Sequence, residues 1–286
     1  MKAVVIGSNG QLGTDLVSSF QHRGWDTVGL THADLAVEDY DSVRRILHSV
    51  RPGVVANTAA FHVVPKCEED PLRAYQVNAL GPLNVARACN EVDAASVYFS
   101  TDYVFDGAKL APYVEEDCPH PLNVYGTTKL GGEYFNLAYS RRSLVLRVSG
   151  LYGRIPSRAK GTNFVMTMLK AAKERPDVRV VDDERLSPTP TSVIAERTVD
   201  LLEAGAEGLY HLVSEGDCSW YEFAKTIFEA LQLKTPLIPV HGDAFPSTVR
   251  RPSYSVLRNS RLEVSGLPPM PHWRDSLLDF LTPRNH

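Results

Sequence analysis

Short apolar runs and longer stretches of helical period take turns along the first half of the chain. The runs "AVVIG", "DTVGL", "GVVAN", "ASVYFS" and "SLVLRVS" are rich in β-branched residues and almost continuously apolar, and segments such as "TDLVSSFQHRG" lie between them. Strands alternating with helices predict βαβ units and a parallel sheet. A sheet covered by helices on both faces needs strands that are apolar on both sides. The fold class is therefore α/β, a Rossmann-like doubly wound parallel sheet with a smaller C-terminal α/β region. After Gly153 the pattern changes. A helix is expected over "NFVMTMLKAAKE", a strand at "VRVV" and a proline-rich turn at "LSPTPTS". A helix over "IAERTVDLLEAG", a strand at "GLYHLV", a helix over "SWYEFAKTIFEAL", a loop at "RRPSYSVL" and a last helix near "WRDSLLDFL" follow. The expected division is a cofactor-binding domain over residues 1–150 with about 183–205, and a substrate region over 151–182 and 206–286.

Composition narrows the class without choosing a function. The 286 residues are 43% apolar and 22% charged, as in ordinary globular proteins. A formal net charge of -4 leaves no basic footprint, which argues against nucleic acid and an anionic membrane as partners. Cys67, Cys89, Cys118 and Cys218 have no paired spacing, so neither a zinc site nor a disulfide framework is suggested, and no metal is expected. The first apolar run reaches Gly7, too short for a signal peptide, and no stretch is long enough to span a bilayer. The expected location is the cytoplasm.

The first candidate chemistry is the loop "VVIGSNGQLG" between the first strand and the first helix. Gly7 permits a tight turn, Gly10 lets the backbone approach a pyrophosphate, and Gly13 allows the helix to pack closely on the strand. The spacing is G-x-x-G-x-x-G. The free amides at the start of the following helix would face the pyrophosphate. An acid at the end of the second strand would bond the ribose 2′-hydroxyl and repel a 2′-phosphate. Here the sequence is "GLTHADL", with Thr31 and His32 at that place and Asp34 slightly beyond it. NADPH is therefore the expected cofactor, with NADH a weaker one. Asp34 and Leu35 would border the adenine, or Asp34 would cap a helix or turn.

The second candidate is "NVYGTTKLGGE", where Tyr125 and Lys129 stand one helical turn apart. A free tyrosine is too weak an acid to trade protons at neutral pH, and bringing it down to neutrality takes about 4 kcal/mol. The Lys129 ammonium is the expected source of that energy, helped by the charge of an oxidised nicotinamide. Upstream, "VYFSTDYVFDG" ends a strand and puts Thr101 and Asp102 at the carboxyl edge of the sheet, where open α/β sheets bind ligands. Thr101 would hold a substrate carbonyl or hydroxyl beside Tyr125, or cap the loop, and Asp102 would bond a sugar hydroxyl.

With both motifs placed, the chain resembles the extended short-chain dehydrogenase/reductases, and within them the dTDP-4-dehydrorhamnose reductase family. "GSNGQLG", "NTAAF", "FSTDYVFDG", "EEDCPHPLNVYGTTKLGGE", "LYG", "NFVMTMLK", "VVDDERLSPT", "GLYHLV" and "RRPSYSVL" carry the likeness nearly end to end. The resemblance implies NADPH-dependent reduction of a 4-keto-6-deoxyhexose linked to a nucleoside diphosphate. It implies Thr101, Tyr125 and Lys129 as the catalytic trio. Gly7, Asn9, Gly10, Gln11, Leu12, Asp34, Leu35, Ala59, Ala60 and Phe61 then form the cofactor shell with Thr31, His32, Tyr125 and Lys129. Asp102, His62, Gly150 and Arg251 are expected at the substrate. Three departures concern the sugar: Gly150 stands where the family carries a tryptophan, so the wall there should be wider, His62 replaces a threonine and Pro65 an aspartate. His62 either faces the ligand or is a loop histidine without a role. Relatives can be monomers or homodimers, and two other readings remain: a reductase, epimerase or dehydratase of another nucleotide sugar, and a non-catalytic NADP-binding module resembling the regulatory β subunit of methionine adenosyltransferase.

Overall fold

The computed structural model describes residues 1–245 and 247–282. The strands are β1 (Lys2–Ile6), β2 (Asp26–Leu30), β3 (Val54–Asn57), β4 (Ala95–Thr101), β5 (Ser143–Val148), β6 (Val178–Val181), β7 (Arg185–Leu186), β8 (Gly208–His211), β9 (Cys218–Ser219) and β10 (Leu237–Val240). The helices are α1 (Gln11–His22), α2 (Tyr40–Val50), α3 (Val64–Glu69), α4 (Pro71–Tyr75), α5 (Gly81–Val92), α6 (Val124–Tyr139), α7 (Phe164–Glu174), α8 (Thr191–Glu203), α9 (Trp220–Ala230), α10 (Ser260–Glu263) and α11 (Trp273–Leu281). Six strands form one parallel sheet in the order β2-β1-β3-β4-β5-β8.

Successive side chains of a strand point to opposite faces, and β1 shows what that does. Ala3 and Val5 join Leu16 and Phe20 of α1 and Ile194 and Val199 of α8 in one core. Val4 and Ile6 join Val43 and Leu47 of α2 and Val85 and Ala88 of α5 in another. The sheet is thus covered on both faces, as its apolar strands require. β8 was grouped by the sequence with the smaller region, but it pairs with β5 at the edge of the main sheet. The reason is connectivity: α8 packs beside α1 on the sheet, so the chain leaves it at the open edge next to β5.

The rest of the second half forms two small sheets, β6 with β10 and β7 with β9, around a core of Tyr152, Val165, Phe223, Ile227 and Trp273. This region is tied to the main sheet beside the glycine loop. Asn163, which caps α7 through Met166 N, also donates to the Gln11 side chain at 3.2 Å and to Gly153 O at 2.7 Å. Among the described residues no helix is long and apolar enough to cross a membrane.

Candidate active site

The strand order reverses between β1 and β3, and a crevice opens there at the carboxyl ends of the strands. The glycine loop forms one wall. Gly7 has φ +79°, and its N–H and that of Ser8 both donate to Leu30 O, which folds the chain sharply off β1. A Cβ on Gly13 would stand 2.1 Å from Gly7 O, so the helix could not approach the strand this closely with any side chain there. A Cβ on Gly10 would meet protein no nearer than 3.3 Å, which leaves that side of the loop open to a ligand. Gly10 is the N-cap of α1 and supplies no side-chain oxygen, so the first amides of the helix are left for a phosphate. This cradle fits a dinucleotide.

The cavity measures about 710 Å³ and runs from this loop past Tyr125 and Lys129 of α6 to Glu184 and Trp220. Gly7, Asn9, Gly10, Gln11, Leu12, His32, Leu35, Ala59, Ala60 and Phe61 line it. Phe61 is held by Asn78, whose amide accepts from Phe61 N at 2.8 Å and donates to Phe61 O at 2.9 Å. Two residues of the expected cofactor shell are not on the wall. The Asp34 carboxylate accepts from Thr31 N at 2.9 Å and from the Thr31 hydroxyl at 2.7 Å, closing the turn after β2. Those bonds hold Asp34 below the usual carboxylate range and turn both residues on each other. Glu38 and Arg73, joined by an ion pair at 2.5 Å, line the cavity instead.

Thr101, Tyr125 and Lys129 come together as expected, at the end of β4 and on the first turns of α6. Asn123 starts that helix by accepting from Gly126 N at 2.8 Å, and a Cβ on Gly126 would stand 2.1 Å from Tyr103 O. The Asn123 cap and the close fit at Gly126 set the first turn of α6, with Tyr125, against the segment after Thr101. The Thr101 hydroxyl acts on the Tyr125 phenol, and the Tyr103 ring meets the Tyr125 ring edge-on at 6.0 Å. Lys129 is 3% exposed, donates to Phe99 O at 2.5 Å and stands 4.2 Å over the Tyr98 ring. Burial brings its ammonium down to about 7, with Glu133 opposing.

The phenol does not behave as the sequence suggested. Burial pushes Tyr125 well above its ordinary value, and Thr101, not Lys129, is the group that lowers it. The physical reason is that the same burial weakens the ammonium that was to do the work.

The substrate side departs further from expectation. Asp102, 5% exposed, accepts from Thr101 at 3.0 Å, Ser149 at 2.8 Å and Ser255 at 2.6 Å. Its oxygens are taken by protein hydroxyls, so it braces β4, β5 and the loop around Ser255 instead of reaching for a sugar. Burial pushes its carboxyl up, and the three hydroxyls pull against that. His62 lies on the wall with Nε2 2.9 Å from the Ser157 hydroxyl and Nδ1 3.3 Å from Ala60 O, which joins the loop after β3 to the loop before α7. Burial lowers it, so the ring is neutral and accepts from Ser157.

Gly150 lines the cavity, but the expected widening is absent. Its φ is +54°, and a Cβ there would meet Leu186 at 2.8 Å and Pro188 Cα at 2.9 Å, so those residues close the wall. Pro65 is exposed in the first turn of α3, off the wall. Arg251 is exposed at the rim, where its charge acts on Tyr103, Glu184 and Lys160. The sequence reading missed Tyr103, Arg158, Lys160, Phe164, Glu184 and Trp220, which complete the cavity. Tyr103, Phe164 and Glu184 lie inside quoted stretches, "FSTDYVFDG", "NFVMTMLK" and "VVDDERLSPT", while the others stand outside those that carry the family likeness.

With this geometry in hand, the comparisons with known proteins agree with one another. Residues 1–285 match the family model described as the RmlD substrate binding domain. The chain is 37% identical over 284 residues to the spore coat polysaccharide biosynthesis protein SpsK of Bacillus subtilis, covering 99% of this chain and 98% of that one. The crystal structure of a dTDP-4-dehydrorhamnose reductase from Clostridium acetobutylicum has a TM-score of 0.94 at 36% identity, with 98% of each chain covered. The structure of the Bacillus anthracis dTDP-4-dehydrorhamnose reductase in complex with NADP has a TM-score of 0.93 at 34% identity, again with 98% of each chain covered.

Proposed function

This chain belongs to the dTDP-4-dehydrorhamnose reductase family, and from that premise we propose that it uses NADPH to reduce a nucleotide-linked 4-keto-6-deoxyhexose, namely dTDP-4-dehydrorhamnose to dTDP-L-rhamnose. The observation that carries the reading is the trio of Thr101, Tyr125 and Lys129 on the wall of the same cavity as the glycine cradle. When bound, NADPH supplies the hydride that adds to the ketone carbon. Tyr125 delivers its phenolic proton to the ketone oxygen as negative charge builds there. An alkoxide is a stronger base than a phenolate, so a phenol kept protonated by burial is the acid that this direction needs. Thr101, fixed by its bond to Asp102, stands on the same wall as the phenol and holds the ketone beside it. When Lys129 holds its proton, its ammonium, one turn along α6, partly offsets the cost that burial puts on the phenolate left behind. Tyr103, Phe164 and Trp220 line the site with aromatic surface, and Arg158 and Lys160 offer cations for a diphosphate.

The test follows NADPH oxidation with dTDP-4-dehydrorhamnose, made in place from dTDP-glucose by 4,6-dehydration and epimerisation at C3 and C5. Wild type should turn over. Tyr125→Phe should lose about 100- to 10,000-fold in rate and keep its NADPH affinity, read by fluorescence titration. Wild-type protein that binds NADPH but leaves this ketosugar untouched would overturn the reading.

A further inference from the structure

The face of β4 that lies under α6 is polar. Ser96, Tyr98 and Ser100 point to the helix, and Lys129, Glu133 and Asn136 answer from it at spacings of four and three residues, all buried. Glu133, 1% exposed, accepts from Ser100 at 2.5 Å and from Arg147 of β5 at 2.9 Å and 2.7 Å. Arg147, 2% exposed, also lies 3.4 Å from His211 Nε2 on β8. The other ring nitrogen, Nδ1, faces the carbonyls of Tyr113 and Arg258 at 3.1 Å each, so it carries the proton and the ring is neutral. Arg147 and Glu133 form a buried ion pair, and Lys129, one turn back on α6, is the second cation of this face.

The other titratable groups facing Lys129 supply no anion. Tyr98 lies beneath it on β4, Tyr125 one turn before it on α6, Cys67 on α3, and His62 on the loop after β3. Burial keeps both phenols protonated and pushes the Cys67 thiol up to about 11, while His62 is neutral. Asp102 acts on Tyr125 from the far side and is itself occupied by three hydroxyls.

We propose that Glu133 is a positioning residue for the reduction: clamped by Arg147 and Ser100 one turn beyond Lys129, its carboxylate is the negative partner that keeps an ammonium beside Tyr125. The proposal rests on the reductase reading. Glu133 leads the groups that hold Lys129 up against burial, and with Lys129 brought to about 7 a small change in this field changes its charge at neutral pH. Arg147 carries the charge opposite to that of Glu133, so on this proposal removing one or the other should move Lys129 in opposite directions. A purely structural role for the pair has no such sign.

The decisive experiment titrates the lysine Cε resonances by NMR in the cofactor-free protein, with Lys129 assigned by its loss in Lys129→Met. Glu133→Gln should lower the Lys129 proton affinity at least tenfold, Arg147→Met should raise it comparably, and Arg147→Lys should leave it as in wild type. Unmoved midpoints, or midpoints that move in the same direction, overturn the proposal. Where Glu133→Gln does not fold, the rise expected in Arg147→Met decides alone. The basic limb of kcat/KM against pH should follow the NMR midpoint in each folded variant, and a limb that ignores it also overturns the proposal. Because the titration needs no turnover, a wild-type protein that fails to reduce the ketosugar refutes the reductase reading separately.

Discussion

At the scale of single residues, the costs of this site are carried by Lys129. An amine brought from its ordinary 10.5 to about 7 by burial is charged in both the folded and unfolded states below pH 7, where its cost is greatest. Between pH 7 and 10.5 the unfolded chain binds the extra proton, so stability should rise with pH through that window. Lys129→Met should therefore raise Tm most below pH 7, and the gain should shrink toward pH 10.5, as thermal melts across that range would show. A constant gain would mean that the ammonium is not buried as described. Much of this was legible in "NVYGTTKLGGE": the pair, its spacing and its helix. The reversal of the expected shift at Tyr125 was not, because desolvation depends on what covers a residue, and Cys67, Tyr98 and Phe99 come from elsewhere in the chain.

At the scale of elements, glycines set how closely helices approach the sheet. Gly13 lets α1 reach β1, and Gly13→Ala should cost about 1–3 kcal/mol of stability by overpacking and weaken NADPH binding as the cradle opens. Urea denaturation and fluorescence titration measure the two effects, and a variant unchanged in both would refute the close-approach argument. Gly150 makes a different case. Trp at that position meets both a left-handed backbone and the side chains of Leu186 and Pro188, so Gly150→Trp should destabilise the fold by about 1–3 kcal/mol from the backbone alone. A thermal melt equal to wild type would show that the 150 loop rearranges freely. The strands and helices themselves were readable from periodicity. What periodicity hid was the polar face of β4: "ASVYFST" reads as one apolar run, yet Ser96, Tyr98 and Ser100 share a side, and α6 meets them with charge instead of hydrocarbon.

At the scale of the whole molecule, buried polar groups join the C-terminal half to the sheet. Asp102 holds Ser149 and Ser255 together, and Asn123 at the start of α6 donates to Arg250 O at 2.9 Å. His211 does the same at the edge strand, between Tyr113, Arg258 and Arg147. Burial brings His211 from 6.5 down to about 3, so its stabilising contribution is full above pH 6.5 and is lost as pH falls through that window, where the unfolded state takes the proton. His211→Gln should be less stable than wild type at pH 7 and lose less on acidification to about pH 4.5, measured by denaturant unfolding at both values. An equal loss in the two proteins would remove His211 from the acid response.

The parallel α/β sheet, the glycine cradle and the pairing of Tyr125 with Lys129 are legible in the chain alone, because each is written in spacings of a few residues that a local backbone geometry can satisfy. That β8 closes the main sheet, that Asp34 and Asp102 accept from protein hydroxyls and amides, and that Leu186 and Pro188 fill the space beside Gly150 emerged from the folded molecule. Those outcomes turn on which distant groups arrive within hydrogen-bonding or van der Waals reach. Reach of that kind, and the desolvation that comes with it, exists only once the chain has folded.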